Sequence, residues 1–139
     1  MQNLSFYAPT GAYTFITKTL PCFTEIAIAF YPLNSARKIL PLNIANLLTP
    51  VGLGAWFGDD GNTRLTSGGV HISTESFTKE ECAILCDIFW NKWGIKATVQ
   101  KHGPHLFRIY IWERSYAKFR TLILPHLHSS MHYKLPSNL

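Results

Sequence analysis

From Gly61 onward the apolar and polar positions of the chain alternate, and helix-like runs interrupt the alternation twice. Leu65 alternates with Asn62, Arg64 and Thr66, and Val70 and Ile72 alternate with His71 and Ser73. Strand side chains point to opposite faces with a period of two, so both stretches read as half-buried strands. Gly68-Gly69 supplies the turn between them. Residues 76–94, SFTKEECAILCDIFWNKWG, then form an amphipathic helix. Thr78 is its N-cap, Glu80 and Glu81 lie in its first turn, and Gly94 ends it. Ile95, Ala97 and Val99 next alternate with Lys96, Thr98 and Gln100. HGPH (His102–His105) turns the chain, and Phe107, Ile109 and Ile111 alternate with Arg108 and Tyr110. Residues 113–124 are a last helix, stopped by Pro125.

Upstream lies NLLTPVGLGAWFGDDGNTR, Asn46–Arg64. Asn46 or Thr49 can cap a helix here, Pro50 suits its first turn, and Gly61 stops it. The order is therefore helix, two strands, helix, two strands, helix. It predicts an α+β fold, with an antiparallel sheet carrying its helices on one face. Gly54 and Gly58 are four apart, on one helical face, and such spacing lets another backbone come very close. They are the expected helix-pairing interface. Asp59 and Asp60 end the run where the helix dipole is negative, which costs about 0.3–1 kcal/mol per carboxylate. A bound divalent cation would reverse that penalty. A polar Asp-Asp-Gly turn with no metal is the other reading of the same residues.

The sheet face turned away from the helices would carry Asn62, Arg64, Thr66, His71, Ser73, Lys96, Thr98, Gln100, Arg108 and Tyr110. It offers what a reader of the DNA major groove needs: forked donors for guanine, amides for adenine and cations for phosphate. An ordinary solvated face would also be polar, but this one holds few acids. The charge of the whole chain agrees, with 13 Lys and Arg against 8 Asp and Glu, a net +5. A small basic domain suits nucleic acid better than acidic substrates or membranes. No apolar run reaches the ~20 residues of a spanning helix, and no signal peptide or transit segment is evident at the start. With 47% apolar and 15% charged residues among 139, a packed single domain is expected and disorder is not.

Three cysteines give no disulfide framework. Cys82 and Cys86, at i and i+4 of the second helix, read as core residues. His126, His128 and His132 have no trusted zinc spacing and read as surface or phosphate-facing groups. In residues 1–45, Tyr13–Thr19 alternates like a strand, Pro21–Pro32 reads as a short helix, and Leu33–Asn46 as a basic linker containing Pro41.

LGAWFGDDG (Leu53–Gly61) resembles the motif that names the LAGLIDADG homing endonucleases. STESFTKEE (Ser73–Glu81) resembles their strand-to-helix junction, and ILPHLHSSMHYKLP (Ile123–Pro136) their closing segment. The resemblance implies the LAGLIDADG αββαββα repeat over residues 46–139. It also implies that residues 1–45 are the remnant of a preceding repeat plus a linker. It assigns Asp60 as the metal-holding, catalytic carboxylate, with Mg²⁺ as cofactor. Lys134 matches a basic pocket residue, and Glu75 stands where a pocket glutamine is common. One motif gives one carboxylate helix, so a second repeat is required, as a homodimer or a separate chain. The implied function is half or a subunit of a site-specific DNA endonuclease encoded in an organellar intron. The alternative is a non-cleaving RNA-binding maturase, or a recruited component of an organellar ribonucleoprotein.

Overall fold

The structure, a computed structural model, describes residues 2–33, 35–64, 68–135 and 137. Leu65, Thr66, Pro136 and the side chain of Arg64 lie outside the described part. The chain opens with strands β1 (Gln2–Tyr7) and β2 (Ala12–Ile16), followed by α1 (Cys22–Phe30) and the short α2 (Ile44–Leu47). The main unit is α3 (Pro50–Asp60), β3 (Gly61–Arg64), β4 (Gly69–Ser73), α4 (Lys79–Trp93), β5 (Ala97–Gly103), β6 (Leu106–Ile111) and α5 (Glu113–Ile123). Two 3-10 turns, Leu124–His126 and Ser129–Lys134, complete it. The expected α+β order is present from Pro50 to Ile123.

The four main strands lie in the order β3-β4-β6-β5, all antiparallel. Val70, Ile72, Ile109 and Ile111 are buried on one sheet face, beneath Leu53 and Phe57 of α3, Leu85 and Phe89 of α4, and Phe119 and Ile123 of α5. Phe57 meets Phe119 edge-on at 5.2 Å, a favoured aromatic geometry that locks α3 to α5. The β5–β6 turn is Pro104-His105, flanked by the pair Gly103–Leu106. His105 has φ +60°, the left-handed conformation a tight turn needs after proline.

Helix ends follow their caps. Thr49, rather than Asn46, caps α3, its Oγ1 accepting from Gly52 N at 3.1 Å. In α4, Glu81 N donates to Thr78 Oγ1 (3.1 Å) and Thr78 N donates to Glu81 Oε2 (2.7 Å), a complete capping box. Gly94 closes α4 in the left-handed region at φ +61°. Glu81 also accepts from Leu40 N at 2.9 Å and pairs with Arg37, so it ties the linker to α4.

Burial acts to raise the Glu81 pKa, but hydrogen bonds from Thr78 and Leu40 and the charge of Arg37 outweigh it. The carboxyl is held below its ordinary 4.5. A lowered folded-state pKa contributes stability that is present above 4.5 and is lost as pH falls through the folded value. Glu81→Gln is therefore expected to destabilise the chain at pH 7 and to flatten the loss of melting temperature below pH 4.5. An unchanged acid limb in that variant would rule Glu81 out as its source.

Two elements went unread in the sequence. β1 pairs with β2 in a separate two-stranded sheet, and α2 interrupts the linker. Lys92 Nζ donates to Ala45 O (2.6 Å) and Leu48 O (2.7 Å), which explains how four residues hold a helical turn. Cys82 is buried and donates to Thr74 Oγ1 at 3.3 Å. Burial pushes the Cys86 thiol up to about 12, which keeps it an inert packing group.

Candidate functional site

Register places the predicted polar side chains in two ranks across the open sheet face. Asn62, His71, Tyr110 and Thr98 are successive neighbours from β3 to β5. Ser73, Arg108 and Gln100 form the next rank. The ranks are cross-linked. His71 Nε2 lies 3.0 Å from Gln100 Oε1, and the His71 and Tyr110 rings are 5.2 Å apart. Lys96 stands one residue before β5, its ammonium 4.2 Å from the centre of the Trp112 ring. Trp112 Nε1 in turn donates to Thr98 Oγ1 at 3.2 Å. Arg64 has its backbone in β3 opposite Gly69, and Thr66 lies outside the described residues.

Glu75 does not join Asp60. Its Oε1 accepts from Arg108 Nε at 2.7 Å, and it lines a separate hollow with Arg37, Ser76 and His105. Burial raises its pKa, but the Arg108 hydrogen bond and charge overcome this and leave the carboxyl below 4.5. Glu75, expected among the pocket residues from its position, thus lines a different hollow from Asp60. Its carboxylate instead holds the Arg108 guanidinium on the open face and offsets its charge.

Asp60 and Lys134 are brought together. With Asp59, Asn62, Ser73 and Tyr133 they line an open hollow of about 590 Å³ at the end of α3. Lys134 Nζ donates to Gly58 O at 2.6 Å and lies 3.4 Å from Asp59 O. It satisfies carbonyls that a helix C-terminus leaves without partners and offsets the negative dipole end. Thr63 Oγ1 donates to Lys134 O at 2.5 Å and fixes this turn against β3. Asp59 and Asp60 are exposed. Among the described residues no group of three or more His, Cys, Asp and Glu could hold a metal. Mg²⁺ commonly takes one or two carboxylates and completes its shell with water and substrate phosphate. The carboxylates here fit one part of such a shell.

Gly54 and Gly58 permit close packing, but against this chain rather than a partner. A Cβ at Gly54 would lie 3.1 Å from His126 Cβ and 3.3 Å from His126 O; one at Gly58 would lie 3.2 Å from Leu127 Cδ1. Both glycines are buried beneath the 124–127 turn. The solvent-facing stripe of α3 carries Val51, Gly52, Ala55 and Asp59. The four-residue spacing of the glycines signals a close neighbour but does not say which segment supplies it. Tyr133 was also missed as a lining residue. Its signal was the neighbouring Lys134.

The model of the LAGLIDADG DNA endonuclease family matches residues 2–119. The intron-encoded endonuclease ai4 of Dictyostelium discoideum is 34% identical over 125 residues, covering 88% of this chain and 76% of that protein. The cytochrome b mRNA maturase bI2 of Saccharomyces cerevisiae is 30% identical over 131 residues, covering 90% of this chain but 30% of the maturase. Among solved structures, the homing endonuclease I-WcaI bound to its DNA recognition sequence matches with a TM-score of 0.74 and 26% identity. That match covers 84% of this chain and 53% of the other. Family model, relatives and fold agree, and the chain belongs to the LAGLIDADG DNA endonuclease family.

Proposed function

We propose that this chain is half, or a subunit, of a site-specific DNA endonuclease that binds duplex through its open sheet face. The observation that carries the reading is the sharing of two residues. Asn62 and Ser73 belong both to the polar ranks of the sheet and to the hollow that holds Asp60 and Lys134. A duplex lying along the ranks would bring a backbone phosphate to that hollow. His71, Gln100 and Tyr110 would meet base edges, while Lys96 and Arg108 would meet phosphates and, for Arg108, guanine.

Asp60 would contribute one carboxylate to a divalent cation such as Mg²⁺, with a second from another motif helix. When bound, the cation would supply Lewis-acid polarisation of the phosphoryl oxygen and a more acidic water. Lys134, held against the carbonyls of Gly58 and Asp59, would place positive charge where a pentavalent phosphate gains negative charge. Asn62 and Ser73 would orient the phosphate. Residues 46–139 form the repeat in this reading. β1-β2-α1 has the same order as β5-β6-α5, which supports residues 1–45 as the end of another repeat plus a linker. An organellar setting is supported by the cytochrome b mRNA in the yeast relative's name.

That maturase likeness also favours a second reading, in which the face binds structured RNA without cleavage. Titration of the purified chain with duplex DNA and folded intron RNA at one salt concentration separates the two. The endonuclease reading predicts a preferred DNA sequence bound more tightly than RNA. Tighter RNA binding with no preferred DNA sequence would replace it with the maturase reading.

A further inference from the structure

We propose that Glu75 and His71 are positioning residues that fix two neighbouring base readers, Arg108 for guanine and Gln100 for adenine. The duplex this chain prefers then carries a G·C and an A·T pair one or two steps apart. The inference rests on the proposed function and adds which bases the open face selects. Gln100 of β5 and Arg108 of β6 stand directly opposite each other in the ladder. Residues so paired have Cβ atoms about 4.5–5.5 Å apart, against about 3.4 Å between successive bases of a strand. Guanine and adenine edges present different donors and acceptors. The two side chains therefore meet separate base pairs, close together along the groove.

Each reader is held by a second side chain. Glu75 follows β4, and its Oε1 takes the Nε edge of Arg108 at 2.7 Å. The two Nη groups remain as the fork that meets guanine O6 and N7. Both side chains of the ion pair are half-buried, so the guanidinium is anchored yet open to a ligand. A free arginine spreads over many rotamers, and ordering it on binding is unfavourable. The ion pair completes part of that ordering before DNA arrives. The carboxylate also reduces the attraction of Arg108 for phosphates, which every sequence shares. It thus weakens binding to arbitrary duplex while sharpening the choice of base.

Gln100 is oriented from two strands away. His71 of β4 reaches across β6, and its Nε2 lies 3.0 Å from Gln100 Oε1. Tyr110, between them on β6, supports the His71 ring at 5.2 Å. An amide oxygen only accepts, so the imidazole donates from Nε2. The contact decides which way round the amide stands. An oxygen with two lone pairs can accept from His71 and from adenine N6 together, while the amide nitrogen donates to N7. A freely rotating amide presents donor and acceptor in either order and must be ordered on binding. His71 acts here through Gln100, beyond any base contact of its own.

The full chain is tested on duplexes selected from a random pool, with each base pair of the preferred site then replaced in turn. Wild type, His71→Ala, His71→Gln, Glu75→Ala and Glu75→Gln are compared, each checked for native circular dichroism. Wild type should favour one A·T and one G·C pair, one or two steps apart, each by about tenfold, as a good bidentate contact does. His71→Ala should lower only the A·T preference, to below about threefold, with an unchanged salt slope. His71→Gln, whose amide nitrogen donates as the imidazole does, should restore it. Glu75→Ala should lower only the G·C preference, yet bind random duplex more tightly and steepen the slope of log K against log salt by up to about 0.9. Glu75→Gln should steepen the slope likewise but keep the G·C preference, because its oxygen still accepts from Nε. Either preference surviving its alanine variant would overturn the proposal. So would weaker binding of Glu75→Ala to random duplex, the mark of a merely structural role. A wild-type site without this A·T and G·C combination would overturn it and leave the proposed function standing. A wild type with no duplex preference would reject the proposed function, and this inference with it.

Discussion

Gly54→Leu is expected to lower the stability of the isolated chain by about 3 kcal/mol, the upper end of overpacking costs. Ala55→Leu, one residue along, is expected to change it by no more than about 0.5 kcal/mol, as for other exposed sites. The contrast follows from which side of α3 each residue occupies. A Cβ at position 54 already sits 3.1 Å from His126 Cβ and 3.3 Å from His126 O, so the remaining three carbons of leucine have nowhere to go without moving the 124–127 backbone. That turn leads directly to Lys134 and its bonds to the end of α3, so displacing it disturbs the candidate site as well. Ala55 faces solvent. Urea unfolding of both variants as monomers measures the difference. Equal midpoints would mean that Gly54 does not face the 124–127 turn.

Asp60→Asn is expected to remove Mg²⁺-dependent cleavage in any assembly that supplies the second motif helix. Loss of a cation's stabilisation of transition-state charge is worth several kcal/mol, on the order of 10²–10³-fold in rate. DNA affinity should change less than about twofold, because the ranks of the sheet, not Asp60, would hold the duplex. Asp59→Asn, on the solvent-facing stripe of α3, should reduce the rate far less. Cleavage kinetics and binding measured on the same variants separate the two carboxylates. Full activity of Asp60→Asn, or equal loss from Asp59→Asn, would remove the assignment of Asp60.

Much of the main unit was legible in sequence because its local signals agree with its packing. Thr78 and Glu81 form the capping box their spacing implied, Gly94 ends α4, and Val70, Ile72, Ile109 and Ile111 bury the face their alternation indicated. β1 escaped because its register with β2 is irregular between Gln2 and Ser5, although the loop that joins them holds Pro9 and Gly11, the latter at φ +67°. α2 escaped because its stability comes from Lys92, 44 residues beyond Leu48, which no local pattern reports. The pairing face of α3 was misplaced for a similar reason. Two glycines four apart signal a close neighbour, but only the path of residues 124–127 shows that the neighbour is the same chain. Glu75 was legible as a carboxylate at a site position, and its capture by Arg108 depended on strand register.

In the proposed function the ranks containing His71, Gln100 and Arg108, flanked by Lys96, are the nucleic-acid surface. The most direct test is the salt dependence of duplex DNA binding by wild type, Lys96→Ala, Arg108→Ala and Gln100→Ala. Each phosphate contact contributes roughly −0.9 to the slope of log K against log salt. Lys96→Ala should therefore reduce the slope by about 0.9 and weaken all sequences alike. Gln100→Ala should leave the slope unchanged, cost about 1–3 kcal/mol on the preferred site and relax preference there. A combined Lys96, Gln100 and Arg108 replacement that binds with wild-type affinity, slope and preference would show that the duplex lies elsewhere on the chain.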